Sequence, residues 1–315
     1  CTGHPDTLAL GAQIGDLRVV AMPGYDRSSR WSRLRSWLSY TLRALGALAR
    51  MPCSDIAVVV SNPPTMGPAM LFARLLGRRY FVLVYDLHPD AAIAMGVLGE
   101  RSLIANLWRC VNRRVWNASE GVFTIGHRMA AHLEKQFDPR RTALDRVAVV
   151  PIWVDTNQIT PRPRAANPVV AELGLGERTV VLYSGNMGYS HDIDSILQAA
   201  QILRDRDDIA IVLIGEGAKW QDAHDFMTAN KLANLHVLPF QPEAMLPHTL
   251  SMADLALVAL DKGAEGLMIP SKTYYYRAAG AAILAICQGE SELTDTIEAG
   301  ACGVQLEPGQ PARLA

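Results

Sequence analysis

Short apolar segments alternate with helical patterns along most of the chain, and this alternation restricts the folds that it can adopt. The first series of apolar segments covers residues 56–60, 80–85, 121–125 and 147–152. The second series covers residues 180–183, 209–214, 235–240, 255–260, 283–286 and 304–306. Nearly continuous apolar strands separated by helices are typical of parallel sheets that are covered on both faces. The sequence therefore predicts an α/β fold built on doubly wound parallel sheets.

A proline-rich segment separates the two series of strands. Residues 160–168 contain three prolines among small and polar residues, a composition typical of a linker. A chain of 315 residues is also longer than one hydrophobic core usually supports. We predict two Rossmann-like domains, 1–158 and 169–315, with a cleft between them.

Composition excludes several classes of function. The chain is 50% hydrophobic and has a net charge of −1, as in soluble globular proteins with no general attraction to nucleic acid. Its five cysteines form no C-x-x-C pair, which favours a reducing compartment over a metal site or a disulfide framework. No apolar run reaches the roughly 18 to 20 residues that span a bilayer, and no signal peptide is recognisable.

A glycine turn follows the first strand of the second series. Gly185, Asn186 and Gly188 lie between that strand and a helical pattern, and His191 follows them. Backbone N–H groups at such a turn, with the positive end of a helix dipole, bind phosphate. The alternative is an ordinary tight turn with an exposed histidine. Asp192 and Asp194 resemble a metal-binding D-x-D pair, but we favour helix capping for them.

Two later elements resemble the first turn. Glu216 lies between two glycines after the next strand, and Pro270, Ser271 and Lys272 begin a later helix. Successive β-α units bring such elements to one edge of a sheet, where a hydroxyl, a lysine and a helix start suit an anion. The alternative is a serine N-cap beside a surface lysine. Glu265, just upstream, is positioned to accept hydrogen bonds from sugar hydroxyls, or else is a solvated loop acid.

In the first series, Asp86 and His88 follow the strand at 80–84. A carboxylate and an imidazole at the carboxyl end of a parallel strand line the cleft of such folds. They would act as a base or orient an acceptor hydroxyl. The alternative is turn chemistry, which we favour for Asp90 as a helix cap.

Residues 27–50 interleave six arginines with tryptophan, tyrosine and leucine. An amphipathic helix of this composition is typical of a membrane surface contact, although a packed helix with a solvated basic face fits equally well. Trp108, Arg109, Arg113, Arg114 and Trp116 would extend such a surface, but packing is the simpler explanation for them.

Short segments in a fixed order resemble the GT-B fold family 4 glycosyltransferases along essentially the whole chain. More narrowly, they resemble bacterial colanic-acid and O-antigen fucosyl- or N-acetylfucosaminyltransferases. The segments are SNPP at 61–64, DLHPD at 86–90, AMGVL at 94–98, PIWVD at 151–155, YSGNMG at 183–188, IGEG at 214–217, PSKTY at 270–274 and AAG at 278–280.

The resemblance implies a retaining, metal-independent transferase that needs no cofactor. Its donor would be a UDP-sugar or a GDP-sugar, and its acceptor a lipid-linked saccharide at the inner face of the plasma membrane. The second domain would hold the donor, with Phe240 and Gln241 facing the base, Glu265 facing the sugar, and Lys272 on the diphosphate. The resemblance also implies that a first strand with a glycine-rich loop, and helices after Ala315, are missing from this fragment.

Three positions depart from the family pattern. Asn186 stands where many members have arginine, His191 where they have lysine, and Tyr275 where a glutamate usually holds the ribose. Two other functions stay open. One is a GT-B nucleotide-sugar epimerase, which shares this architecture. The other is a non-catalytic subunit that binds a sugar nucleotide, which these three departures make conceivable.

Overall fold

The computed structural model describes residues 30–94, 96–137, 147–188, 191–260, 263 and 265–315. Cys1, the first of the five cysteines, and Arg27, the first of the six arginines in 27–50, lie outside the described residues. The chain divides into two compact units. The first comprises the described residues up to 88 together with 103–124 and 133–148, and the second comprises 89–102, 125–132 and 149–315. The domain boundaries at 158 and 169 stay predictions.

The sheet of the first unit contains four strands in sequential order. They are β1 (Ile56–Val60), β2 (Arg79–Val84), β3 (Gly121–Thr124) and β4 (Val147–Val149). The helices of this half of the chain are α1 (Arg30–Arg50), α2 (Met66–Leu75), α3 (Asp90–Ala94), α4 (Leu103–Ala118) and α5 (His127–Glu134). Right-handed crossovers between sequential parallel strands place α2 and α4 on the same face of the sheet. Accordingly, α2 packs against both α1 and α4.

The sheet of the second unit contains six parallel strands. They are β5 (Thr179–Ser184), β6 (Ile209–Ile214), β7 (Leu235–Leu238), β8 (Leu255–Ala259), β9 (Ala282–Ile286) and β10 (Gly303–Leu306). The helices are α6 (Pro168–Glu172), α7 (Ile193–Ile202), α8 (Trp220–Asn230), α9 (Leu246–Ser251), α10 (Lys272–Ala278), α11 (Glu292–Gly300) and α12 (Pro311–Leu314). Short 3-10 helices lie at Arg164–Ala166 and Glu243–Met245.

The order of these strands determines where a ligand site forms. The order is β10-β9-β8-β5-β6-β7, so the direction of winding reverses between β5 and β8. In doubly wound sheets the crevice outside the carboxyl ends of the strands at such a reversal is the usual ligand site. The glycine turn that follows β5 lies at this point.

Both faces of the second sheet are buried. Leu182 of β5 belongs to the apolar cluster on one face, and its neighbour Tyr183 belongs to the cluster on the other. Successive strand residues point to opposite faces, so burial on both faces explains why these strands are apolar throughout. The predicted α/β fold with two parallel sheets is confirmed, and the strand order of the second sheet is doubly wound.

The predicted linker packs on the second unit. Asn167 is 2% exposed, and its side chain accepts a hydrogen bond from Val169 N–H and donates one to the carbonyl of His248 at 2.7 Å. It therefore caps α6 and holds this helix against the end of the nearby α9. Ile159 belongs to the same apolar core.

Candidate functional site

The segment after β5 is held against the end of β6 by alternate backbone amides. Gly185 has a φ of 147°, which favours glycine, and its N–H donates to the carbonyl of Ile214 at 2.9 Å. Two residues later, Met187 N–H donates to the carbonyl of Glu216 at 2.7 Å. Glu216 thus supports the segment through its backbone, and its side chain is exposed.

The two intervening amides are available to a ligand. Within the described ranges, the N–H groups of Asn186 and Gly188 have no hydrogen-bond acceptor. The helix α7 does not follow directly but begins at Ile193, where the carboxylate of Asp192 accepts Ser195 N–H at 3.1 Å. This N-cap occupies the helix end, so an anion would bind the loop amides and not the first turn of α7. The favoured interpretation of Asp192 as a cap agrees with this geometry.

Lys272 places a buried cation beside this loop. Its ammonium group lies 3.9 Å from the centre of the Tyr183 ring and has no hydrogen-bond acceptor among the described residues. Burial lowers the pKa of Lys272 to about 8. A methyl group on Gly185 would lie 2.9 Å from the ammonium nitrogen, so the close approach requires glycine. A buried charge without a counter-ion is unfavourable, and an anionic ligand would relieve it.

His191 also lies beside the Tyr183 ring, in an edge-on arrangement. The ring centres are 6.3 Å apart, and the Nδ1 atom of His191 is buried without a partner in the described part of the chain. Burial, with the charges of Lys272 and Lys219, lowers the pKa of His191 to about 4. The imidazole is therefore neutral at pH 7. Lys219 binds the His191 carbonyl at 3.0 Å and the carboxylate of Asp194 at 2.7 Å.

The described residues contain no cluster of three or more histidine, cysteine, aspartate or glutamate side chains that is arranged to hold a metal ion. In the D-x-D pair, Asp192 caps α7 and Asp194 is paired with Lys219. Helix capping and an ion pair account for both carboxylates.

Tyr276 fixes the position of Lys272, although no motif in the sequence identifies this tyrosine. Its hydroxyl accepts the N–H of Ser184 at 2.7 Å and donates to the carbonyl of the same residue at 3.3 Å. The side chain is fully buried. Residues four apart lie on one face of a helix, so this contact with the end of β5 directs Lys272 towards the Gly185 loop. Its position four residues after Lys272 was the only feature of the sequence that could have indicated this role.

We expect Tyr276→Phe to lower the free energy of unfolding by about 1 to 2 kcal/mol, because Ser184 loses a buried hydrogen-bond partner. We also expect it to weaken several-fold the binding of UDP, the diphosphate that the family resemblance implies, because α10 is no longer fixed to β5. Denaturant unfolding and UDP titration would measure the two effects. Tyr274→Phe is the matched control, since Tyr274 is half-buried near Thr296 and Glu292, on another face of α10. Equal losses of UDP affinity in both variants would contradict a positioning role for Tyr276.

The other predicted donor residues line the same edge of the sheet. Glu265 follows β8, and its Oε1 atom is buried without a hydrogen-bond partner within the described residues. It lies close enough to Cys287, at the end of β9, for its charge to help raise the pKa of that thiol, although burial is the larger cause. Ser271 is exposed and makes no capping bond with its side chain, and the carbonyl of Pro270 accepts Thr273 N–H.

Phe240 and Gln241 follow β7, two strands away from β5. Phe240 is 49% exposed, and the Gln241 amide donates to the carbonyl of Pro239 at 3.0 Å. The structure therefore gathers Gly185, Asn186, Gly188, His191 and Lys272 at one point. Glu265, Ser271, Phe240 and Gln241 lie farther along the same edge.

Asp86 and His88 follow β2 in the first unit. The His88 ring stacks on Trp108 with centres 5.6 Å apart, and its carbonyl accepts the Asn112 amide at 2.6 Å. Its Nδ1 atom is buried without a partner among the described residues, beside a cavity of about 40 Å³ lined also by Ser61. Burial raises the pKa of Asp86 and lowers the pKa of His88, and their mutual attraction partly offsets both shifts. A neutral imidazole beside a carboxylate can orient a hydroxyl group.

Comparison with solved structures defines the class of fold. The structure resembles that of Alr3699/HepE from Anabaena in complex with UDP-glucose, with a TM-score of 0.68 and 14% identity over 98% of this chain and 77% of that chain. It also resembles TarM from S. aureus, crystallised as a mutant with UDP, with a TM-score of 0.61 and 13% identity over 88% of this chain and 50% of that chain. The fold is GT-B.

Comparison with sequences finds glycosyltransferases among the relatives. Residues 170–315 match the family model of glycosyl transferases group 1. The chain is 28% identical over 265 residues to the probable glycosyltransferase WbjE of Pseudomonas aeruginosa. It is 26% identical over 247 residues to the putative colanic acid biosynthesis glycosyl transferase WcaI of Escherichia coli K12. These matches cover 83% and 76% of this chain, but only 64% and 60% of the two relatives. The predicted resemblance to glycosyltransferases is confirmed.

Proposed function

We propose that this protein is a retaining glycosyltransferase that moves a sugar from a UDP-sugar to a lipid-linked saccharide in cell-surface polysaccharide biosynthesis. One observation carries the proposal. The buried ammonium group of Lys272 has no acceptor in the described part of the chain and lies beside two unbonded loop amides. The group 1 domain and the UDP-bound structures of HepE and TarM support a nucleoside diphosphate as the anion that this site receives.

The site suits the charge that develops when a glycosyl bond to a diphosphate breaks. Negative charge then accumulates on the leaving phosphate, and fixed donors and cations stabilise it more than they stabilise the bound substrate. Lys272 would supply the cation, the amides of Asn186 and Gly188 would donate hydrogen bonds, and neutral His191 would donate from its ring. Glu265 would accept hydrogen bonds from the sugar, and Phe240 with Gln241 would border the base.

The acceptor would bind in the first unit. Asp86 and His88 line a cavity at the carboxyl end of β2, where they would orient the attacking hydroxyl group. We propose that the reaction needs neither a metal ion nor a cofactor, because the diphosphate would be neutralised by Lys272 and the loop. We also propose that the protein works in the cytoplasm at the inner face of the membrane, where a lipid-linked acceptor is presented.

The proposal is tested by incubating the intact protein with a panel of UDP- and GDP-sugars, with and without a lipid-linked saccharide, and identifying products by mass. Turnover of a UDP-sugar only when the acceptor is present is the expected result, and the rate should be unchanged by a metal chelator. Formation of an epimer without acceptor would instead identify an isomerase. Tight binding of UDP-sugar without turnover would identify a non-catalytic binding subunit.

A further inference from the structure

One side of α4 exposes large apolar side chains to solvent. Leu103, Ile104 and Leu107 are 86%, 65% and 66% exposed, and we call these three residues the apolar turn. The exposed side of a helix in a globular protein is normally polar. No helix in the described ranges is long and apolar enough to cross a bilayer.

The aromatic residues of α4 point to the other side. Trp116 is 7% exposed, and Trp108 stacks on His88. Packing, which the sequence favoured for both tryptophans over a membrane contact, therefore agrees with the structure. Only the packing of α4 on α2 and on His88 shows that aliphatic residues occupy the exposed side.

The charged residues within α1, α2 and α4 are all arginines. The sequence of α4 contains three arginines and no acidic residue, and Arg113 and Arg114 lie exposed near its end. The sequence of α1, which packs on the other side of α2, contains five arginines and no acidic residue. Clusters of arginine beside exposed apolar residues are attracted to anionic lipid surfaces.

The apolar turn is also close to the cavity proposed for the acceptor. Leu107 is followed directly by Trp108, whose ring stacks on His88 in the wall of that cavity. A surface that receives Leu107 would therefore lie roughly one helix diameter, about 10 Å, from His88. This separation suits an acceptor whose lipid stays in a bilayer while a hydroxyl group of its saccharide reaches the mouth of the cavity.

We propose that the apolar turn inserts into the interface of an anionic lipid bilayer, with Arg113 and Arg114 on the lipid phosphates. We favour a bilayer over a second copy of this chain because of charge. Helices that contain arginines and no acidic residue are attracted to an anionic surface and repel a second copy of themselves. The delivery of acceptor to Asp86 and His88 depends on the proposed transferase function. Binding to the bilayer does not.

Sedimentation of the intact protein with vesicles tests the proposal, using phosphatidylcholine alone and phosphatidylcholine mixed with phosphatidylglycerol. We expect binding to the anionic vesicles only. The triple variant Leu103→Gln, Ile104→Gln, Leu107→Gln should bind at least tenfold more weakly with an unchanged melting temperature, because these side chains are exposed. Ile202→Gln, a 54% exposed isoleucine on α7, is the matched control and should bind like the original protein.

A second pair of variants separates charge from insertion. Arg113→Ala with Arg114→Ala should weaken binding severalfold at low salt and have a smaller effect at high salt. The proposal is wrong if the triple variant binds as tightly as Ile202→Gln. It is also wrong if the original protein does not bind the vesicles but forms dimers that the triple variant does not form.

The vesicle result and the transfer result are independent. Vesicle binding without turnover of any donor would support the membrane surface and overturn the transferase function. Turnover of a UDP-sugar by a protein that does not bind anionic vesicles would support the transferase function and overturn the membrane surface. If both proposals hold, the triple variant should keep its UDP affinity and lose transfer to a bilayer-embedded acceptor.

Discussion

Lys272→Met is expected to stabilise the fold while lowering donor turnover at least about tenfold, which corresponds to roughly 1.4 kcal/mol of barrier. Methionine keeps the apolar stem of the side chain and removes a buried charge that has no counter-ion in the described structure. Removing such a charge relieves the unfavourable burial, so the free energy of unfolding should rise by about 1 to 3 kcal/mol near pH 7. Opposite changes in stability and activity are typical of a residue retained for function.

The gain in stability should depend on pH in a defined direction. Burial lowers the pKa of Lys272 from 10.5 to about 8. Below about pH 8 the group is charged in both folded and unfolded chains, and the unfavourable burial is fully present. Between about 8 and 10.5 the unfolded chain binds more protons, so this group makes the original protein more stable as the pH rises. The advantage of Lys272→Met should therefore shrink across this range.

Thermal and denaturant unfolding between pH 7 and pH 10, together with UDP titration, would measure these effects. Lys135→Met provides a control, because Lys135 is exposed and its charge is already solvated. The control should change neither stability nor UDP affinity beyond a few tenths of a kcal/mol. A destabilised Lys272→Met variant with an unchanged turnover rate would remove Lys272 from the site.

The sequence predicted all ten described strands, because each is a short apolar run between turn residues. Their ends were less certain. The strand predicted at 235–240 stops at Leu238, directly before Pro239, and the one at 147–152 stops at Val149, two residues before Pro151. Proline lacks the N–H that a ladder of strands requires. Apolar character extended beyond both positions, so the periodicity placed the boundaries too late.

The candidate site was only partly visible in the sequence. Glycine spacing after a strand identified Gly185 and Gly188, since few local structures need that pattern. The burial of Lys272 against Tyr183 was not predictable, because it depends on how α10 packs on β5. The hydrogen bond between Tyr276 and Ser184 joins residues that are 92 positions apart, and no local sequence pattern predicts such a contact. Local chemistry thus identified the loop, and tertiary packing determined which cation faces it.

Gly215→Ala is expected to damage the fold and the candidate donor site together. Gly215 has a φ of 155°, and a methyl group there would overlap the carbonyl oxygen of Gly185. The overlap involves backbone atoms, which cannot rotate aside as a side chain can. Either β6 or the Gly185 segment must move, which breaks the bond from Gly185 N–H to Ile214.

We expect Gly215→Ala to lower the free energy of unfolding by at least about 2 kcal/mol, and UDP affinity by more than about tenfold. Gly289→Ala is the control for backbone strain alone. Gly289 also has a positive φ, 65°, but no atom lies within 4 Å of the added methyl group. It should lose about 1 kcal/mol of stability and retain UDP affinity. Equal losses of stability and UDP affinity in the two variants would contradict this prediction. The close contact between Gly215 and Gly185 would then not shape the loop, and β6 would not hold the two unbonded amides in place.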